Sequence, residues 1–205
     1  MSIPSETEFV SGLEKYESLE PRDAMYKVAT FLVRHFWGKP SDMADGLGVL
    51  LLTWNNAFYR FGGFDFNALQ RCIEENFTEL ESFRKRKITS LSDLDKRSIK
   101  DLFEEFYDAL QISSGKRSGY KSPVSAAKAL HLLAPDFFPL WDDRIAHAYG
   151  FHFSHGPAEE YMRFCKFTRE MAIAVSQYPM PGDKSVLKLI DEYNYSKFTK
   201  GWITE

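Results

Sequence analysis

Between its glycine and proline breaks, this chain places apolar residues every three or four positions, and it does so along most of its length. That spacing collects them on one face of a helix. Met25, Val28, Ala29, Leu32 and Phe36 show it over 21–37, a segment opened by Pro21 and Asp23 and closed by Gly38-Lys-Pro40. Leu47, Leu50, Leu51, Trp54 and Phe58 repeat it over 43–60, with Ser41 or Asp42 as the cap. After Gly62-Gly63 it returns in Leu69, Ile73, Phe77 and Leu80 over 66–83, and again in Ile99, Leu102, Phe103, Phe106 and Leu110. Ser92 and Asp95 have the spacing of a capping box before that last helix. Residues 112–121 form a glycine/serine loop, and Ser122-Pro123 then supplies an N-cap followed by proline, a strong helix start. That helix stops at Pro135; Asp142 caps a short one over 143–149, stopped by Gly150. Helices over 157–177 and 183–197 complete the chain. No alternating strand run, repeat or low-complexity tract appears, so an all-α fold is expected.

Composition narrows the function. The chain has 205 residues, 44% of them hydrophobic, enough to bury a sizeable core as one unit. Charged residues make up 27% in mixed sign, which excludes a disordered chain. A net charge of -3 excludes a bulk polycation, so any nucleic-acid contact must come from a local patch. No apolar run approaches the length of about eighteen residues that a membrane helix needs, and no membrane partner is expected. The N-terminal MSIPSETEF lacks the charged start and apolar stretch of a signal peptide. Cys72 and Cys165 are too few for a disulfide scaffold, an iron–sulfur cluster or a structural zinc site. The expectation is a cytoplasmic protein without a cofactor.

The stretch 122–150, SPVSAAKALHLLAPDFFPLWDDRIAHAYG, is the most informative. A helix rich in small apolar residues leads through a tight Phe-Pro connector to an Asp that opens another helix. This resembles the helix-hairpin-helix DNA glycosylase superfamily, which includes endonuclease III, the adenine glycosylase and the 8-oxoguanine glycosylases. Phe138, Pro139, Leu140, Trp141, Asp142, Asp143, Arg144 and Ile145 match the family's turn position by position, and Asp142 falls on its catalytic carboxylate. Upstream, Leu51-Leu52-Thr53-Trp54-Asn55-Asn56 resembles the family's Leu-Leu-Ser-x-Gln segment, whose Gln fills the gap left by an extruded base. The resemblance covers about 45–150 in helix order and 124–149 closely. It implies a two-lobed helical fold, with one lobe near 41–135 and the other from 1–40 plus 136–205.

Two departures stand out. The lysine nucleophile of the family's bifunctional members would fall on Val124, and Gly119-Tyr-Lys-Ser-Pro123 replaces the glycine-rich hairpin. The resemblance therefore implies a monofunctional enzyme with a degenerate hairpin. Breaking a base–sugar bond builds positive charge on the sugar, which the carboxylate of Asp142 would offset while it directs water. Asp142 also reads as a plain helix cap. Lys128 is the substitute amine, sharing a helix face with Val124 and His131. Alternatively Ser125, Lys128 and His131 form that helix's solvent stripe. His131 and Trp141 would line the substrate pocket, and Trp54 and Asn55 would contact the flipped base or its gap. Trp54 reads alternatively as a buried core residue.

Lys116, Arg117 and Lys121 form a basic cluster without an acid, suited to DNA phosphates, and Arg84–Lys87 adds four more positive charges. Either cluster could instead be solvated surface. The closing segment from Lys188 to Trp202 reads as a helix docked by its aromatics, with a place at the pocket rim as an alternative. Three functions follow: a divergent DNA-base glycosylase; a non-catalytic module that keeps the fold and binds nucleic acid, nucleotide or protein; and a metal-assisted hydrolase using His147, His152 and His155 with Asp143, a spacing that matches no known ligand motif.

Overall fold

The structure is a computed structural model that describes residues 2–152, 156–179, 182 and 184–203. Every regular element among them is helical, so the fold is all-α. His155, and Asp183 at the start of the last expected helix, lie outside the described residues.

Helix α1 (Glu6–Leu19) starts at Ser5, whose hydroxyl accepts the Glu8 N–H at 3.3 Å. It is absent from the sequence expectations, although Phe9, Leu13 and Tyr16 follow helical spacing and are buried. Helix α2 (Ala24–His35) starts later than expected. Asp23 takes a left-handed conformation, φ 39°, and turns its carboxylate to Lys188 at 2.9 Å instead of capping the helix. Pro40 opens α3 (Pro40–Trp54) instead of only closing the segment before it; its fixed φ suits the first turn. The helix expected over 43–60 breaks at Asn55, with the short α4 (Asn56–Tyr59) following.

The helix expected over 66–83 is two, α5 (Phe66–Glu75) and α6 (Phe77–Arg84). Asn76 divides them, its amide donating to the Cys72 carbonyl at 3.0 Å and to the Glu105 carboxylate. The Ser92–Asp95 capping box forms, in a 3-10 turn just before α7 (Lys96–Ala109). Ser122 caps α8 (Pro123–Leu133), accepting the Ser125 N–H at 3.2 Å. Then come α9 (Asp143–Ala148), α10 (Pro157–Val175) and α11 (Val186–Asn194), which runs on into a wide turn over Tyr195–Thr199.

Helices α3, α5, α7 and α8 pack together, and α1, α11 and the Tyr195–Thr199 turn form a second group, with α9 on that turn. Helix α2 lies on α3 and α8, and α10 touches both α7 and α11. One continuous hydrophobic core joins them. Gly48 lets α3 approach α5 closely, since a Cβ there would lie 2.4 Å from the Phe66 ring. The Phe-Pro connector is anchored by Trp141, stacked on Tyr161 at 5.4 Å and on Phe164 at 5.9 Å between ring centres. That fixes where α9 begins. No helix among the described residues is long and apolar enough to cross a membrane.

Candidate functional site

A cavity of about 380 Å³ opens where α8 meets α1, α2, α9 and α11. Trp54 at the end of α3, Lys128 of α8 and the adjacent Trp141 and Asp142 before α9 all border it. Its volume lies within the range of small-molecule sites, roughly 300–1,000 Å³.

Asp142 reaches the cavity because it caps α9. One carboxylate oxygen accepts the Ile145 N–H at 2.8 Å, and the other accepts the Thr199 hydroxyl at 3.3 Å. Arg144 holds that terminal turn in place by donating to the Thr199 carbonyl at 2.8 Å. The capping reading and the site reading of Asp142 are therefore compatible. Lys128 donates to the Trp54 carbonyl at 3.2 Å, and its ammonium lies 4.6 Å from the centre of the indole. Burial pulls Lys128 down to about 8, partly offset by the charges of Asp142 and Asp191.

The opposite wall comes from the closing segment, whose Lys188, Asp191 and Tyr195 take the place at the rim given above as an alternative; the charged cluster they form with Asp23 is what the sequence did not reveal. Lys188 is buried, its side chain 5% exposed, and pairs with Asp23 at 2.9 Å, Glu192 at 3.5 Å and Asp191 at 3.6 Å. Its ammonium faces the rings of Tyr26 at 4.4 Å and Tyr16 at 4.9 Å. Burial opposes its charge, but Asp191, Tyr16 and Asp23 outweigh burial and raise its pKa. Asp191 borders the cavity with a side chain 19% exposed. Burial raises it, Lys188 opposes, and Asp142, Glu192 and Asp23 push it further up, to about 6. Tyr16 and Tyr26 are raised above the usual phenol range, chiefly by burial.

Other expected residues stand elsewhere. His131 does not reach the cavity. It is fully buried behind Tyr26, with Nδ1 2.7 Å from the Phe138 carbonyl and Nε2 3.0 Å from the Tyr26 hydroxyl. A carbonyl only accepts, so Nδ1 carries the hydrogen and Nε2 accepts from Tyr26. Burial lowers its pKa to about 4. The solvent-stripe alternative fails, since Ser125 and His131 are both fully buried. Asn55 is turned away to α8, donating to the Ser125 hydroxyl at 2.7 Å and to Ser122 at 3.3 Å.

Lys116 is exposed, and Arg117 lies over Phe61 with its guanidinium 4.0 Å from the ring centre. Lys121 pairs with Asp108. None of these three borders the cavity. In the second basic run, Arg84 packs over Trp37 at 4.0 Å and Arg86 forms a two-pronged pair with Asp95 at 2.7 and 2.8 Å. Half of that run is thus engaged internally. His147 and His152 rings meet at 5.0 Å, and His147 Nδ1 lies 2.7 Å from the Asp143 carbonyl. Among the described residues no three His, Cys, Asp or Glu side chains gather as a metal site.

Lys188-x-x-Asp191-Glu192 reads in sequence as an exposed helical ion pair. Residues i, i+3 and i+4 share a helix face, and nothing in the neighbouring sequence marks that face as buried. Comparison with family models, with curated proteins and with solved structures finds no match.

Proposed function

We propose that the cavity receives a nucleobase with its sugar and that the protein is a divergent DNA-base glycosylase, monofunctional, which hydrolyses the bond between them. The observation that carries this reading is convergence: Trp54, Lys128 and the adjacent pair Trp141-Asp142, drawn from three separate stretches of the chain, border one cavity. Asp142 is held by Ile145 and Thr199, so its carboxylate is oriented before a substrate arrives. It offsets the positive charge that grows on the sugar and directs the attacking water. Trp54 supplies an aromatic face for the base.

Electrostatics favour this division of labour. Even with Asp191 left out, Glu20, Asp23 and Asp142 outnumber Lys128 and Lys188 on the cavity wall. Such a wall attracts a developing cation and repels a phosphodiester, which stays outside. Lys116 and Arg117, in the loop that leads into α8, are the candidates to hold it. Ser122 at the start of that helix lies about 9 Å along it from Lys128.

The test is a panel of damaged-base duplexes with and without borohydride. Wild-type protein is expected to release a free base from at least one duplex with no trapped adduct, and Asp142→Asn is expected to release none. A trapped adduct contradicts the monofunctional mechanism. Absence of release across the panel contradicts the enzyme reading.

A second reading, a non-catalytic binding module, is favoured by one observation: Lys128 and both oxygens of Asp142 already have protein partners. Salt-dependent duplex binding without base release would mark it.

A further inference from the structure

We propose that Asp191 is the general acid of this site, giving a proton to the departing base while Asp142 faces the sugar. The inference rests on the glycosylase reading and adds a second carboxylate to it, from α11.

A neutral base leaves poorly as an anion. When the bond from sugar carbon to ring nitrogen breaks, its electron pair stays on the base, and a proton delivered there lowers the barrier. On the cavity wall Lys128 turns its ammonium to the Trp54 carbonyl at 3.2 Å and to the indole of the same residue. Tyr16 and Tyr26 hold their protons too strongly because they are buried. Lys188 is fixed in its charged form by Asp23 at 2.9 Å. Asp142 accepts from an N–H and a hydroxyl and so is held as an acceptor. Asp23 is engaged by the Lys188 ammonium at 2.9 Å. Asp191 stands farther from that ammonium, at 3.6 Å, and opens to the cavity.

The groups around Asp191 explain why it can carry a proton. Asp142 from α9, Asp23 before α2 and Glu192 on α11 all disfavour its charge, against Lys188. Lys128 of α8 also interacts with it, and Tyr16, Glu20, Tyr26 and Tyr195 share its cavity. Like charges crowded around one buried carboxyl raise its pKa to about 6, so it carries a proton in mildly acidic solution and loses it as pH rises past 6.

The reaction balances without a further reagent. The base–sugar bond breaks, the base nitrogen takes the Asp191 proton, and water adds to the sugar carbon. One water proton passes to solvent, and Asp191 regains its proton from solvent.

Two duplexes separate this role from a structural one. One carries a neutral damaged base that wild type releases; the other carries guanine methylated at N7, already cationic and able to depart without a proton. Asp191→Asn is expected to lose about 100-fold or more on the neutral base and to change little on the cationic one. Asp142→Asn loses both. The wild-type rate on the neutral base falls as pH rises past 6, and the rate on the cationic base does not. That wild-type comparison holds whether or not a variant folds. Equal losses on both duplexes, no loss on either, or identical wild-type pH profiles would overturn the role of Asp191 and leave the glycosylase reading standing. No release from either duplex by wild type overturns both.

Discussion

The ammonium of Lys128 stands 4.6 Å from the centre of the Trp54 indole and 3.2 Å from the carbonyl oxygen of the same residue. The contact ties α8 to the end of α3 across the cavity wall, and it makes Trp54 a reporter of the charge on Lys128. Because burial brings Lys128 to about 8, Trp54 fluorescence is expected to change in one step near pH 8. That step should vanish in Lys128→Met and in Trp54→Phe. Its persistence in Lys128→Met would assign it to another group and remove Lys128 from the set of titrating cavity residues.

His131 and Asp191 make opposite demands on stability as pH changes. His131 has its folded pKa depressed to about 4, below its ordinary 6.5. The unfolded chain therefore binds more protons in that interval, and stability falls as pH drops. Asp191 has its folded pKa raised to about 6 from 3.8. The folded chain binds more protons there, and stability falls as pH rises. Each contribution is about 3 kcal/mol at its limit, so the two largely offset between pH 4.5 and 6.5. Urea unfolding of Asp191→Asn is expected to unmask the His131 slope, with stability dropping toward pH 4.5. His131→Gln should unmask the reverse slope. If Asp191→Asn follows the wild-type pH curve, the shift assigned to Asp191 is wrong.

Lys188 holds three carboxylates together, and removing it strands Asp23 and Asp191, while Glu192 keeps Lys184 at 2.9 Å. Lys188→Met is expected to cost about 3–5 kcal/mol near neutral pH, the usual result of breaking a buried ion pair from one side. Adding Asp191→Asn to that variant relieves one stranded charge and should restore part of the loss. Chemical denaturation of both variants checks it. A cost below about 1 kcal/mol is what an exposed pair gives and would contradict the buried cluster.

Local chemistry made part of this structure legible. Ser122-Pro123 and Asp142 each start a helix through a side chain acting on its own neighbours, so their roles follow from a few residues read in order. The Phe-Pro connector placed Asp142 next to Trp141, and both border the cavity. What could not be read is what depends on distant packing. Asn76 divides a helix with no glycine or proline to announce it, because the competing partner, Glu105, lies on another element. Asn55 looks suited to a ligand until the serines of α8 take its amide. Asp23 sits where a helix cap belongs, yet it pairs with a lysine near the other end of the chain. The acidic wall of the cavity gathers Glu20 after α1, Asp23 before α2, Asp142 before α9 and Asp191 on α11, a relation that no local pattern encodes.

The central claim, that Asp142 faces positive charge developing on a sugar, is tested most directly by binding. A duplex carrying a cationic azasugar at one position imitates that charge without being cleaved, and a site complementary to the transition state binds it more tightly than a plain duplex. Wild type is expected to prefer the azasugar duplex by about 100-fold or more, and Asp142→Asn to lose that preference while keeping its affinity for the plain duplex. Equal affinity of wild type for the two duplexes, or a preference unchanged in Asp142→Asn, would contradict the account.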